Sequence, residues 1–370
     1  MFVILNNDGS FKKKEEMKEI HWENLVKIIE GQATKEKPVG FIVDSPWLPK
    51  WYGSSIIDYY ADPQVWFNST IQAMKEFPEV MFLPGFWAEF GMCTEPSAFG
   101  SKLVWSENDF PHPAKISTNA ENISGLLKPN VKTDGLLPFS INRLKRYEDR
   151  IKQNDCRVRF ATSRGPLNIA SFLFGMTDFL LALSITPEEA QKGLTTITDF
   201  VIDWLSLQFE KFSDIEGILI LDDIVGFLGE PDFETFVLPH MKRIYSTFNA
   251  KVNFFHNDAS GLICAKYLKE IGINLFNFSF NHSISEIRSL AGDSVTLLGN
   301  IPPREVLALG SQVDVRTSVN KMMKTCGDHS RIIWSCGGGM APDTPTTNIR
   351  TFIQAVKEAD SLTSFGVAVL

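Results

Sequence analysis

The chain has 370 residues, a formal net charge of −8, 44% hydrophobic residues and 22% charged residues. This composition is ordinary for a globular protein, and an acidic chain without a long Lys/Arg run is not expected to bind nucleic acid or an anionic membrane surface. No apolar run reaches the ~18 residues of a membrane-spanning helix, and residues 1–10 lack the basic start of a signal peptide. The five cysteines are widely spaced. We therefore expect a cytoplasmic protein with reduced thiols and no membrane partner.

Eight short apolar runs recur along the chain, and most are followed by a polar loop and then a helical segment. They are rich in Val, Ile, Leu and Phe and are apolar almost throughout, which is typical of strands buried on both faces of a parallel sheet. The runs are residues 39–43, 80–83, 158–162, 217–221, 251–255, 274–278, 295–298 and 331–334.

Helix signals lie between these runs. Thr186 and Pro187 provide an N-cap and a proline in the first turn, and two glutamates follow them. Residues 232–249 and 343–360 have similar starts and helical spacing. The alternation of strands and helices predicts a (β/α)8 TIM barrel, an α/β fold.

The predicted barrel occupies residues 38–370 as a single domain. Residues 1–37 are predicted to form an N-terminal helical extension. Residues 86–155 are too long for one crossover, so we expect an insertion after the second strand that covers the barrel mouth. A doubly wound open sheet is the alternative, but no GxGxxG motif follows the first strand.

Polar residues after the fourth and fifth runs are candidates for catalysis, because the active site of a barrel lies where its strands end. Asp222 and Asp223 follow the fourth run, and we select Asp223 as the inward-pointing carboxylate, while Asp222 could cap the following turn. His256 and Asp258 follow the fifth run and, at positions i and i+2, face the same way. Such a pair can ligate a divalent metal or hold a polar substrate. Asp223, His256 and Asp258 are therefore predicted to be catalytic.

Further residues after the strands are predicted to bind substrate. The two tryptophans after the first strand form either an aromatic lid over the barrel or packing for the N-terminal extension. The predicted substrate-binding residues at these strand ends are Asp44, Trp47, Trp51, Arg164 and Asn300.

Six segments resemble, in order and spacing, the uroporphyrinogen decarboxylase superfamily. The likeness covers about residues 20–365 and implies a TIM-barrel enzyme. The segments are SRGPLNIASFLFGMTDFL, GILILDD, FETFVLPHMKRI, FFHND, LLGNIPP and SCGGGMAPDTPTTNI.

Two branches of this superfamily differ after the first strand. The decarboxylases carry an arginine-rich segment there that binds the carboxylates of the substrate. In this chain the position reads VDSPWLPK, with no arginine and with the added carboxylate of Asp44. The resemblance therefore points to the methyltransferase branch, whose members exchange methyl groups with a cobalamin held by a separate corrinoid protein. The segment CTEPSAFGSKLVW is similar to that branch's loop after the second strand, which adds Glu95 to the predicted substrate-binding residues.

The best-known members of that branch bind zinc through a His-x-Cys pair after the fifth strand and a Cys after the eighth. His256 matches, but Asp258 replaces the first Cys, and Gly338 stands at the second, two residues after Cys336. One explanation is a site for zinc or a harder divalent metal built on His256 and Asp258. Its further ligands would come from Glu89, Glu95 or Cys336.

The other explanation is acid/base catalysis by His256 with Asp258 or Asp223 and no metal. In either case the resemblance implies a corrinoid-dependent methyltransferase acting on a small O- or N-methyl substrate, with the corrinoid supplied by a partner protein. A carboxy-lyase acting on a carboxylate substrate is the alternative, with Arg164 or Lys50 as the carboxylate anchor. The oligomeric state, including a homodimer, stays open.

Overall fold

The computed structural model describes residues 19–259 and 262–359, with backbone alone at 4–5, 11–12 and 120–121. Its central feature is a set of eight strands, each four to six residues long. They are β1 Val39–Ile42, β2 Val80–Leu83, β3 Phe160–Arg164, β4 Gly217–Leu221, β5 Val252–Asn257, β6 Leu275–Phe278, β7 Thr296–Ile301 and β8 Ile332–Cys336. Two short antiparallel pairs lie outside this set, Ile4–Leu5 with Phe11–Lys12 and Leu103–Val104 with His112–Pro113.

Helices connect the strands. The α-helices are α1 Glu19–Ile29, α2 Leu48–Tyr52, α3 Ile56–Ala61, α4 Pro63–Glu76, α5 Thr94–Ala98, α6 Leu137–Gln153, α7 Pro166–Phe174, α8 Met176–Ile185, α9 Pro187–Lys211, α10 Glu230–Phe236, α11 Leu238–Thr247, α12 Leu262–Ile271, α13 Ile284–Ala291, α14 Gln312–Cys326 and α15 Thr346–Glu358. Short 3₁₀ segments span Ala120–Gly125 and Ile224–Phe227, and a π-helical turn spans Pro303–Ala308.

The eight strands form one parallel sheet in the order β2-β1-β8-β7-β6-β5-β4-β3. The curled sheet is consistent with the predicted TIM barrel, but over the described residues no backbone ladder joins β2 to β3. Side chains satisfy the free edge of β3 instead. Gln208 of α9 accepts from the Thr162 amide at 2.9 Å and donates to the Thr162 carbonyl at 2.9 Å. Glu95 accepts from the amide of Arg164 at 3.0 Å.

Helix α1 packs against the end of the sheet where the strands begin. Its Trp22 and Leu25 belong to the same buried cluster as the inward-facing strand side chains. The indole of Trp22 donates to Glu216, just before β4, at 2.9 Å. The strand residues in this cluster are Ile42, Met81, Leu83, Phe160, Leu219, Leu221, Val252, Phe254, Leu275, Leu298 and Ile333. Most of the predicted extension before Glu19 lies outside the described residues, so its boundary at residue 37 stays a prediction.

Several element bounds differ from the predicted ones. The third, fifth and eighth strands run on to Arg164, Asn257 and Cys336, because polar residues at their ends still pair with the neighbouring strands. The helix predicted over residues 232–249 is two helices, α10 and α11, with proline in the first turn of the second. The predicted helix start at Pro187 is confirmed.

Within the described residues, no single helix has both the length and the apolar character needed to cross a membrane. Helices α7 and α8 meet that test as a pair, but the chain bends by 109° between them.

Candidate active site

The polar residues at the strand ends continue the inward-facing rows of the barrel. Side chains at i and i+2 of a strand share a face. Ile42, Leu221 and Phe254 face the interior, so the next positions in phase point toward the barrel mouth. These positions are Asp44, Arg164, Asp223, His256, Asp258, Asn277 and Asn300.

Asp222 is out of phase with this row and has a structural role. Its carboxylate accepts from the amides of Leu167 at 2.9 Å and Asn168 at 3.0 Å, in the first turn of α7. The carboxylate therefore satisfies two amides that have no partner within the helix. Asp222 thus caps α7, which precedes it in the chain, rather than the turn that follows it, and Asp223 is the member of the pair that is in phase with the inward-facing row.

His256 is held by Asn277 in one orientation. The His256 Nδ1 atom lies 2.8 Å from Asn277 Oδ1. The Asn277 Nδ2 atom donates to the carbonyl of Leu298 at 2.8 Å, so Oδ1 must be the acceptor and Nδ1 carries the proton. In the neutral ring the lone pair is then on Nε2, which lies 3.6 Å from Asp223 Oδ1 and 3.9 Å from Asp258 Oδ2.

Asp223, His256 and Asp258 form a compact group of ligand atoms. One atom from each residue lies within 4.8 Å of the other two. Burial raises the pKa of Asp258, the neighbouring His256 opposes this shift, and Asp223 adds to it. Two carboxylates and an imidazole whose other nitrogen is held by a hydrogen bond are a donor set that suits a divalent cation.

Cys336 is placed outside this group, which corrects its prediction as a metal ligand. Strand alternation directs it into the outer hydrophobic layer, because Ile333 occupies the inward phase of β8. Its thiol lies 3.4 Å from the carbonyl of Gly338, and burial raises its pKa to about 12. Gly338 itself has φ +124°, and a Cβ there would lie 2.7 Å from Asp258 Oδ2. A cysteine at that position would be strained by this φ and would force the Asp258 carboxylate to move.

Three more carboxylates lie near this group, on the loops after β1 and β2. Glu89 and Glu95 are buried, and Asp44 is partly exposed. Burial raises the pKa of Asp44 well above its usual value; repulsion from Glu89 adds to the shift and the guanidinium of Arg164 opposes it. The charge of Asp258 also raises it, which links these acids to the His256 side of the mouth.

Arg164 is the cation of this mouth. Its guanidinium donates to the carbonyl of Gly91 at 2.9 Å, and it opposes the raised pKa values of Asp44, Cys93 and Glu95. Its substrate-binding role stays a prediction. Its charge lies within electrostatic range of acidic neighbours in the same chain.

Trp47 lies in the core, which corrects its prediction as a substrate-binding residue, whereas Trp51 is partly buried and packs against the core. Trp47 is 1% exposed, and its indole donates to the carbonyl of Thr344 at 2.9 Å. Trp51 donates to Thr346 Oγ1 at 3.0 Å, and both rings pack against Phe77. These contacts do not fit a lid over the barrel. Most of the N-terminal extension lies outside the described residues, so packing against it stays a prediction.

Asn300 fixes a loop at the mouth. Its Nδ2 donates to the carbonyls of Ser279, at 3.3 Å, and His282, which tie the end of β7 to the loop after β6. Asn277, by contrast, was not among the predicted site residues. Its signal was an amide inside the apolar run LFNF, two residues after Leu275 in the inward phase.

A cavity of about 660 Å³ lies away from this group, along the seam between β2 and β3. Glu19, Trp22, Met81, Arg159 and Phe160 are among its lining residues. None of the acids or the histidine of the mouth lines it. It is therefore a separate feature of the seam.

Comparisons with known proteins agree with this architecture. The methyltransferase from Methanosarcina mazei superposes with a TM-score of 0.74 over 95% of this chain and 100% of its own, at 16% sequence identity. At that identity the likeness shows the fold alone.

Sequence relatives point the same way. A uroporphyrinogen decarboxylase from Dichelobacter nodosus is 24% identical and covers 82% of this chain and 86% of its own length. A uroporphyrinogen decarboxylase from Thermus thermophilus is 25% identical, and the match covers 90% of this chain and 97% of the relative's length. The family model for uroporphyrinogen decarboxylase (URO-D) matches residues 21–359. The chain therefore belongs to the uroporphyrinogen decarboxylase family.

Proposed function

We propose that this protein is a corrinoid-dependent methyltransferase that moves a methyl group between a small O- or N-methyl substrate and a separate corrinoid protein. The observation that carries the proposal is the group of Asp223, His256 and Asp258, in which Asn277 leaves the His256 Nε2 lone pair facing two carboxylates. The fold of the superposed methyltransferase is compatible with it.

The donor set fits a divalent metal with a preference for oxygen and nitrogen ligands. His256 would bind through Nε2, and Asp223 and Asp258 through one carboxylate oxygen each. When bound, such a metal would act as a Lewis acid and polarise the oxygen or nitrogen atom that carries the methyl group in the donor. The protein residues do the rest: Asn277 holds the imidazole, and the surrounding apolar layer fixes the three side chains on rigid strand ends.

An apolar rim supports a protein partner. Met92, Phe227 and Phe280 are 45%, 58% and 39% exposed, and each follows a different barrel strand. Loops after parallel strands meet at the same end of a barrel. We infer that these side chains contact the corrinoid protein when it delivers its cofactor to the mouth.

The second candidate is a carboxy-lyase, which the names of the sequence relatives favour. The residues of the mouth disfavour it, because acids stand where a carboxylate substrate would need cations. Of the two anchors considered, Lys50 pairs with Asp343 at 2.5 Å in an exposed ion pair, and Arg164 is engaged by acids of the same site.

The test is a single-turnover reaction with chemically reduced cobalamin and a panel of small methyl ethers and N-methylamines. We expect at least one methyl donor to convert the spectrum of reduced cobalamin into that of methylcobalamin. His256→Ala should lose this activity. The exposed variant His112→Ala serves as the control and should keep it. Release of carbon dioxide from a carboxylate substrate, with no methyl transfer from any donor, would favour the carboxy-lyase instead.

A further inference from the structure

The acidic side of the mouth has hydrogen-bond acceptors without donors. Asp44 Oδ1, both oxygens of Glu89, and Glu95 Oε2 are buried and have no hydrogen-bond partner among the described residues. Glu89 and Glu95 are 6% and 4% exposed. Buried acceptors in native proteins are nearly always paired, because an unpaired one loses its hydration without compensation. A ligand that brings donors would satisfy these four atoms.

Two guanidinium groups lie beside these acids. Besides Arg164, the guanidinium of Arg143 lies within electrostatic range of Glu89. Arg143 is 5% exposed and donates to the carbonyl of Tyr60. The raised pKa values of Asp44 and Glu95 indicate that these two guanidinium groups do not offset the burial of the acids. A further positive charge beside the acids would favour their ionised forms.

We propose that Asp44, Glu89 and Glu95 form an ammonium subsite that binds a protonated amine of the substrate, so that the methyl donor is a small amine-bearing molecule. This inference rests on the proposed function. An ammonium group with N–H bonds supplies both a positive charge and the missing donors. A quaternary ammonium supplies only the charge. A second divalent metal would place two positive charges beside two guanidinium groups.

The subsite adjoins the group around His256. A Cβ at Gly339 would lie 3.7 Å from Asp44 Oδ2, and a Cβ at Gly338 would lie 2.7 Å from Asp258 Oδ2. Consecutive Cα atoms are about 3.8 Å apart, so the two neighbouring glycines bring the subsite and the metal-ligating carboxylate close together. A donor whose amine and methylated atom are separated by a few bonds can therefore occupy both.

The experiment compares two methyl ethers of nearly the same shape by calorimetric titration. 2-Methoxyethylamine carries an ammonium group, and 1-methoxypropane carries a methyl group in its place. The wild-type protein should bind the amine about tenfold or more tightly than the neutral ether. Glu89→Gln should abolish this preference. Asp44→Asn should abolish it too, and this variant replaces Glu89→Gln in the test if the latter does not fold. The exposed Glu188→Gln should leave it unchanged.

Two results would overturn the subsite. One is equal binding of the two ethers to the wild-type protein. The other is a second equivalent of divalent metal that is lost in Glu89→Gln, which would make the acids a metal site. Preferential amine binding without methyl transfer to reduced cobalamin would keep the subsite and contradict the proposed function. Equal demethylation of both ethers would support the proposed function and contradict the subsite.

Discussion

The carboxylate of Asp222 lies directly against Gly165, where β3 passes into α7. A Cβ at Gly165 would come within 2.2 Å of Asp222 Oδ2 and 2.5 Å of Asp222 Cβ. The backbone of Gly165, with φ −76°, would accept any residue, so the constraint is the contact alone. The glycine makes room for the carboxylate that holds the first turn of α7.

Gly165→Ala should therefore lower the free energy of unfolding by about 1–3 kcal/mol, because the new methyl group forces the carboxylate or the helix to move. Gly229 offers a matched control. It also precedes a helix, with φ −73°, and its Cβ would meet only Pro231 Cδ, at 3.9 Å. Urea denaturation of both variants is the measurement. Equal effects of the two substitutions would show that the contact with Asp222 is not the cause.

The adjacent acids Asp222 and Asp223 should separate stability from function. Asp222→Ala removes the hydrogen bonds from the amides of Leu167 and Asn168 and should cost about 1–3 kcal/mol of unfolding free energy. Asp223→Asn should change stability by less than about 1 kcal/mol, since its carboxylate is partly exposed, yet it should weaken divalent-metal binding. Denaturation curves and metal titration of both variants give the answer. A reversed pattern would mean that the inward and outward assignments are exchanged.

Gln208 should be required for the order of the β3 edge. Gln208→Leu leaves the amide and carbonyl of Thr162 without their partner, so the Thr162 amide should exchange with deuterium faster. The expected loss of stability is about 1–3 kcal/mol. Gln208→Glu keeps an acceptor for the amide and loses the donor to the carbonyl, so its exchange should be intermediate. Unchanged protection of Thr162 in the leucine variant would contradict this role.

His240 should make the protein less stable in mild acid. It is buried in α11 beside Thr198, and burial, followed by the charge of Arg243, lowers its pKa from 6.5 to about 4. The unfolded chain therefore binds more protons between these values. The stability contributed by the neutral ring is present above pH 6.5 and is lost as the pH falls toward 4.

The measurement is the free energy of unfolding at about pH 5 and pH 7. His240→Gln should show a smaller loss between the two pH values than the wild-type protein, whatever its absolute stability. Identical losses would show that other groups cause the acid sensitivity.

Much of the barrel could be predicted because each strand is a continuous apolar run, and burial on both faces leaves that mark in the sequence. The strand ends could not be bounded in this way. His256 and Asn257 are polar, yet they remain in β5 because their backbones pair with β6. The open seam between β2 and β3 could not be predicted either. The backbone of Thr162 in β3 pairs there with the side chain of Gln208, which lies far along the chain in α9.

The site was predicted in part for a similar reason. The alternation of inward and outward side chains along the strands predicted Asp223, His256 and Asp258. Applied to β6 and β8, the same alternation would have added Asn277 and excluded Cys336. The failure of Trp47 has another cause. Its position after a strand resembles that of a lid residue, but the hydrogen bond that draws its indole inward is made to the carbonyl of Thr344, whose place no local pattern reveals.

Elemental analysis of the purified protein shows whether Asp223, His256 and Asp258 hold one divalent metal. Wild-type protein should contain about one equivalent of a divalent metal. His256→Ala and Asp258→Asn should lose it, and Cys336→Ser should retain it, because the thiol lies outside the group of ligands. The three residues do not form a metal site if the wild-type protein holds no metal after incubation with divalent ions. The same follows if both His256→Ala and Asp258→Asn keep the wild-type metal content.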